Sequence, residues 1–278
     1  MAIKYLAGDR IIGTSQELFN MYVPDSVGTS GNGVLNGNIT LGTGADIKLG
    51  TASYDCDGTS DYVTVSPSGM VFGSTGFTFA GWMKTDSIST IAYFVKVATN
   101  VGTSHFYVSG SSSSYLRCEG TWGTVNASSG TWSNATWYHI ALTNDGTTTK
   151  TYQNGSLVGS VTASSDLGTV SSFVIGADPT YYELNGKLDD MGVWSKALSA
   201  SEISALYNGG TGKEIKTIPS LSVGCEAYYT FDSLTSGLVN QLGTATSTRN
   251  LPDGTIFEQS DTGKHMMFDG SSTWNEMV

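Results

Sequence analysis

Hydrophobic and polar positions alternate along much of this chain with a period of two. Phe77-Thr78-Phe79-Ala80-Gly81-Trp82-Met83-Lys84 sets aromatic or large side chains against small or polar ones. That is the pattern of a β-strand whose two faces meet different surroundings. Comparable runs occupy residues 53–56, 62–65, 91–97, 105–109, 115–119, 137–143, 150–153, 156–161, 174–175 and 187–194, and shorter ones fall at 34–35, 39–41 and 47–49. Asp57-Gly58, Asn144-Asp145-Gly146 and Asn154-Gly155 lie between runs, and such sequences turn the chain because they accept a positive φ. Short strands recurring with turn chemistry between them predict an all-β sandwich or barrel. The period changes once. Ser199-Ala200-Ser201-Glu202 reads as a capping box, in which hydroxyl and carboxylate satisfy each other's free N–H groups. Ile203, Leu206 and Tyr207 then fall on one helical face, and Gly209-Gly210 ends the helix.

Composition sharpens this picture. The 278 residues are 39% hydrophobic and only 13% charged, with 35 glycines, which suits many turns and hydroxyl-rich strand faces. A net charge of −11 without a local Lys/Arg cluster repels phosphates and argues against nucleic acid as a partner. No apolar run approaches 18 residues and the start, MAIKYLAGDRII, has no signal-peptide core, so neither membrane insertion nor export by the general secretory route is expected. The three cysteines, Cys56, Cys118 and Cys225, are far apart and read as buried thiols rather than a metal or redox motif.

The blocks FTFAGWMK, WYHIALTNDGTTTKTYQNGSLVGS, FVIGADP and LNGKLDDMGVWSKALSASEISALYNGG resemble, in content and order, the laminin-G-like, concanavalin A-like jelly-roll domains of bacterial and viral surface proteins. Trp137-Tyr138-His139, Tyr152-x-Asn154-Gly155 and Leu188-Asp189-Asp190 to Trp194 carry most of the likeness, while Cys56 stands where the family usually has an aromatic residue. The resemblance covers roughly residues 33–210 and implies an antiparallel jelly-roll sandwich with one short helix. Around it, residues 1–32 read as an attachment segment, 211–249 as a linker with an extra strand at 227–232, and 250–278 as a three-strand β module with strands at 255–258, 265–268 and 274–277. The first residues and the LPDGTIFE stretch resemble short modules of tailed-phage and archaeal-virus structural proteins. That implies a small β module built from both termini, other virion structural proteins as partners, and a place on the virion. Strand exchange with neighbouring copies would make a homo-oligomer.

The chemistry is sparse. A glycosidase needs two carboxylates across the scissile bond, but no E-x-D-x-x-E run exists, and Glu119, Glu183 and Glu202 are isolated. Asp189 and Asp190 are adjacent, so on a regular strand they face opposite ways, with Asp189 sharing the face of Met191 and Val193. His105, His139 and His265 lack nucleophile or metal-ligand neighbours, and the GTGK near residue 210 lacks the remainder of a P-loop. No enzyme is expected. The resemblance implies a structural Ca²⁺ at a sandwich edge, for which Asp57, the Gly58 carbonyl and Asp189 are the candidate ligands. Tyr115, Trp122, Trp132, Tyr181 and Tyr182 are the loop or strand-end aromatics placed to stack on a sugar, whereas Trp82, Trp137 and Trp194 belong to the core. Together with the resemblances, these features lead one to expect a non-enzymatic virion surface protein, for capsid decoration or tail adhesion, with a host glycan as a candidate ligand. The alternatives are a carbohydrate-binding module of a cellular surface protein and, third, a polysaccharide-degrading enzyme.

Overall fold

The computed structural model describes residues 10–13, 32–67, 70–72, 76–87, 91–110, 115–127, 131–163, 168–221, 224–234, 256–259, 265–268 and 274–276. With strands numbered in chain order, one antiparallel sheet runs β11 (Val125–Ala127), β10 (Tyr115–Gly120), β9 (Gly102–Ser109), β8 (Ile91–Thr99), β15 (Gly168–Ile175), β5 (Tyr62–Val65), β2 (Gly33–Asn36), with β6 (Val71–Phe72) also on β15. The other runs β14 (Ser156–Thr162), β13 (Thr148–Gln153), β12 (Trp137–Asn144), β7 (Phe77–Thr85), β18 (Asn185–Trp194), β4 (Ser53–Asp57), β3 (Thr40–Gly42), with β19 (Cys225–Tyr229) also on β18. The two sheets face each other as a jelly-roll sandwich, as the alternating pattern and the resemblance lead one to expect.

Alternation explains how the layers close. Every residue of β7 is buried. Phe77, Phe79 and Met83 point between the sheets and pack with Phe72, Phe94, Phe106, Ile140 and Phe173. Each such side chain contributes about 1.5–3 kcal/mol by leaving water. Ala80, on the other face of β7, meets a second cluster outside the sheet. There Trp194, Ala141 and Tyr152 are covered by Leu198, Ile203, Leu206, Ile215, Leu221 and Tyr228. Ile203 and Leu206 come from helix α1 (Ala200–Tyr207), which starts in the expected capping box: the Ser199 hydroxyl accepts from the Glu202 N–H, and the Glu202 carboxylate accepts from the Ser199 N–H at 2.7 Å. The Trp194 indole donates to the Leu221 carbonyl at 2.7 Å, pinning the segment that follows α1.

The sandwich does not stop at Gly210. The strand read at residues 227–232 pairs with β18 as β19, Phe231 packs edge-on against Tyr54 at 5.0 Å, and the Asp232 carboxylate accepts from the Thr51 and Ala52 N–H groups. Residues 225–232 are therefore part of the folded unit. Residues 47–49, read as a strand, instead form an irregular turn after a 3₁₀ turn at Gly44–Asp46. The Lys48 and Leu49 N–H groups go to a side chain of β18, described below, while the Ile47 N–H donates to the Gly44 carbonyl. Cys56, Cys118 and Cys225 are buried free thiols. A further four-stranded sheet joins the two ends of the chain. In it β1 (Arg10–Gly13) runs parallel to β20 (Ile256–Gln259), followed antiparallel by β21 (His265–Phe268) and β22 (Trp274–Glu276). The rest of 1–31 and residues 235–255 lie outside the described residues.

Candidate ligand cleft

A two-stranded hairpin, β16 (Ala177–Asp178) and β17 (Tyr182–Glu183), crosses the outer face of the first sheet beside β8. Its tip is fixed locally. The Tyr181 N–H donates to the Asp178 carbonyl, and the Thr180 N–H donates to the Asp178 carboxylate at 3.1 Å. The hairpin, the β4–β5 turn, the start of β8 and the start of β18 enclose an open cleft of about 350 Å³. Asp57, Gly58 and Thr59 form one wall, Tyr181, Tyr182 and Glu183 another, and Ser87, Ile91 and Asn185 complete it. Tyr181 is 71% exposed and Tyr182 38%, with ring centroids 6.5 Å apart. Exposed aromatic side chains in a polar cleft are offered to a ligand rather than spent on the core. The wall at Gly58 is close-fitting: its φ is +82°, and a Cβ there would sit 2.9 Å from the Asn185 Cβ.

Two sets of sequence candidates, one for metal and one for sugar, thus meet in one place. Asp57 and Gly58 share the cleft with Tyr181 and Tyr182. Other candidates do not join them. Trp122 is fully buried between the sheets, stacked on Phe77 at 5.4 Å. Trp132 is 8% exposed, stacked on Tyr138 at 4.2 Å, and donates its indole N–H to the Thr85 hydroxyl. Their Gly/Ser-rich surroundings read as loops, but both rings are buried, so neither is available to a sugar. Tyr115 is half-buried on β10, in a cross-strand row with Ser109 and Ile91. Two strand spacings put it about 10 Å from the cleft floor. Trp82 and Trp194 are buried as expected, while Trp137 is only half-buried, beneath the Lys84 ammonium.

Asp189 also lies elsewhere. Asn185 is paired with Asp57 across β18 and β4, and Asp189 is four residues further along, about 13 Å away. Its face differs from the expected one because β18 bulges between Asp189 and Gly192, with Asp190 at φ +49°. The bulge inserts an extra residue and turns both carboxylates to the outer face of the sheet. Met191 and Val193 stay in the inter-sheet core. Asp189 is 1% exposed; its Oδ2 accepts from the Lys48 and Leu49 N–H groups at 2.9 Å each, and its Oδ1 has no hydrogen-bond partner. Burial, opposed by these N–H groups, pushes its pKa up to about 7. Asp190 accepts from the Tyr228 hydroxyl at 2.6 Å, and burial raises its pKa well above the usual carboxylate range. Calcium takes six to eight oxygens. The proposed ligands are split between two places, and among the described residues no three His, Cys, Asp or Glu side chains come together around a metal position. The three expected ligands therefore do not converge on one position.

Beside the cleft, the outer face of the first sheet carries ordered cross-strand rows that sequence reading missed. Tyr93, Tyr107 and Arg117 form one row and Lys96, His105 and Glu119 the next. The hairpin is tied to the second row by Asp178, whose carboxylate takes the Lys96 ammonium at 2.7 Å and faces His105 Nε2 at 3.6 Å. Burial alone would raise the Asp178 pKa, but the Lys96 ammonium and the Thr180 N–H outweigh it and hold it down. Burial lowers the His105 pKa, against the pull of Asp178. Arg117 pairs with Glu119 at 2.7 Å. Only the alternation of polar residues along β9 and β10 hinted at this face. Its partner Asp178 lies in the FVIGADP block, where nothing local marks it as an ion-pair partner.

A family model for the concanavalin A-like lectin/glucanases superfamily, the Laminin_G_3 family, matches residues 57–204, just over half of the 278. Among solved structures, domain 4 of AbnA, a GH43 extracellular arabinanase from Geobacillus stearothermophilus in complex with arabinotriose, superposes with a TM-score of 0.51. It is 18% identical, over 69% of this chain and 96% of that one. A provisionally assigned carbohydrate binding protein from Bacteroides ovatus ATCC 8483 gives 0.49 at 19% identity over 73% of this chain, which spans 53% of that one. The binding domain of Paraclostridial Mosquitocidal Protein 1 gives 0.49 at 16% identity over 65% of this chain and 48% of that one. No curated protein matches the chain. The family match includes both walls of the cleft and stops short of both terminal segments.

Proposed function

Since the chain belongs to the concanavalin A-like lectin/glucanases superfamily, we propose that it is a non-catalytic glycan-binding module whose ligand lies in the cleft between the β16–β17 hairpin and the β4–β5 turn. The observation that carries this reading is the pairing of two exposed tyrosine rings with the hydrogen-bonding groups of Asp57, Thr59, Ser87, Glu183 and Asn185 in one open cleft. Rings pack on the apolar faces of a sugar, and carboxylates and amides take its hydroxyls. Tyr181→Ala combined with Tyr182→Ala should weaken glycan binding about tenfold or more, the cost of truncating central aromatic contacts. Unchanged binding by the double variant would move the site elsewhere.

A hydrolase is the second reading, because Asp57 and Glu183 share the cleft. Release of reducing ends from a bound polysaccharide, abolished by Glu183→Gln, would establish it over the first. We further propose that the module is displayed on a virus particle, by capsid or tail attachment through the terminal segments. The parallel pairing of β1 with β20 draws the first and last stretches into one sheet distinct from the sandwich strands, which is the part of the chain such attachment would use. Mass spectrometry of purified particles tests it, and absence of the chain from them would leave a cellular surface module.

A further inference from the structure

We propose that the cleft selects its ligand by charge: it takes uncharged or amine-bearing sugars and turns away acidic ones, with Asp57 and Glu183 as the specificity-determining residues. This rests on the reading of the cleft as the glycan site and says which glycans enter it.

Among the described residues, the only charged side chains lining the cleft are Asp57 and Glu183; the remaining lining is Tyr, Thr, Ser, Asn, Ile and Gly. Asp57 accepts from the Thr59 N–H at 2.7 Å, an uncharged donor. Neither carboxylate has a Lys, Arg or His partner among the ion pairs of the described residues. The nearby cations are already committed. Lys96 is taken by Asp178 at 2.7 Å, and Lys187 by Asp55 at 3.1 Å and by Asp86. A uronate or sialate carboxylate entering the cleft would therefore meet two like charges and no cation. A neutral sugar meets two strong hydrogen-bond acceptors, and a free amine adds an opposite charge beside two tyrosine faces. Across the chain, 24 acidic against 13 basic residues add a long-range field of the same sign. At an exposed site each carboxylate shifts the balance by a few-fold, so the two together amount to about threefold to tenfold, screened by salt.

The test is a glycan array of matched sets: native acidic polysaccharides, the same polymers with carboxyl groups reduced to hydroxymethyl, and chitin oligomers before and after N-deacetylation. It is read at low and high salt with chelator, and repeated with calcium. The full chain should bind the carboxyl-reduced forms over their native parents, and the deacetylated oligomers at least as well as the acetylated ones. Asp57→Asn with Glu183→Gln should raise the acidic-to-neutral signal ratio about threefold to tenfold at low salt; both replacements keep an acceptor oxygen. Native acidic polymers binding as well as their reduced forms, in chelator or in calcium, would overturn the inference, as would a double variant with an unchanged ratio. If no sugar binds, or if binding ignores the loss of Tyr181 and Tyr182, the glycan-site reading itself falls, which is a different result from acidic sugars entering a working cleft.

Discussion

Replacing Asp189 by Asn should make this protein more stable at neutral and alkaline pH. Asp189 is buried at a bulge and paired through only one of its oxygens, and burial raises its pKa from 3.8 to about 7. Between those values the folded chain holds a proton that the unfolded chain has released. Folding stability therefore falls as pH rises from about 4 to 7 and stays low above that. At about 1.36 kcal/mol per pKa step, the shift from 3.8 to about 7 corresponds to an upper bound on the order of 4 kcal/mol lost by pH 8. Asn resembles the protonated acid. Its carbonyl oxygen can still accept from the Lys48 and Leu49 N–H groups, and it has no charge to desolvate. Urea unfolding between pH 4 and 9 should show the wild type losing stability through that window while Asp189→Asn stays flatter and overtakes it above pH 6. Some slope should remain, because Asp190 keeps its own raised pKa beneath Tyr228. Two curves that stay parallel across the range would refute the reasoning. A gain on adding calcium at pH 8, seen in the wild type and absent from the variant, would mean that a cation holds this carboxylate after all.

Two further outcomes follow from the packing. Trp122→Ala should cost about 3–5 kcal/mol by emptying a buried site against Phe77, and glycan binding per folded molecule should be unchanged; selective loss of binding in a fully stable variant would return Trp122 to the ligand site. Asp178→Asn should release the hairpin from Lys96 and His105 and weaken binding at Tyr181 and Tyr182 more than it lowers the melting temperature, since the sheet beneath does not depend on it; calorimetry on the same sample reads both.

Strands and turns were legible because their signals are local. The alternation at Phe77 to Lys84 and the Asn154-Gly155 turn each report on neighbours in sequence, and so does the capping box at Ser199 and Glu202. What could not be read depends on partners far along the chain. Residues 47–49 look like a strand until the buried Asp189, some 140 residues away, draws the Lys48 and Leu49 N–H groups out of any ladder. Asp189 and Asp190 look as though they face apart because the bulge is set by pairing with β7. Trp122 and Trp132 look exposed because Gly/Ser-rich surroundings do not reveal that a ring folds inward. In the cleft, Asp57 and the two tyrosines were visible as separate oddities. Glu183 read only as an isolated carboxylate and Asn185 not at all, since only the fold brings β17 and β18 beside the early turn.

The strand β19 and the two residues after it carry one more consequence. The recognisable family pattern closes at residue 204, yet Tyr228, Tyr229 and Phe231, beyond it, are as buried as anything in the molecule. The unit that is inherited and the unit that folds therefore have different ends. A fragment cut where the likeness stops would leave Trp194 and Tyr54 without the rings and carbonyl that cover them, and would trade a sealed back for a sticky one. The natural piece to express, transplant or fuse extends at least through Leu234, because the Tyr54 hydroxyl donates to the Ser233 carbonyl and Leu234 packs against the core.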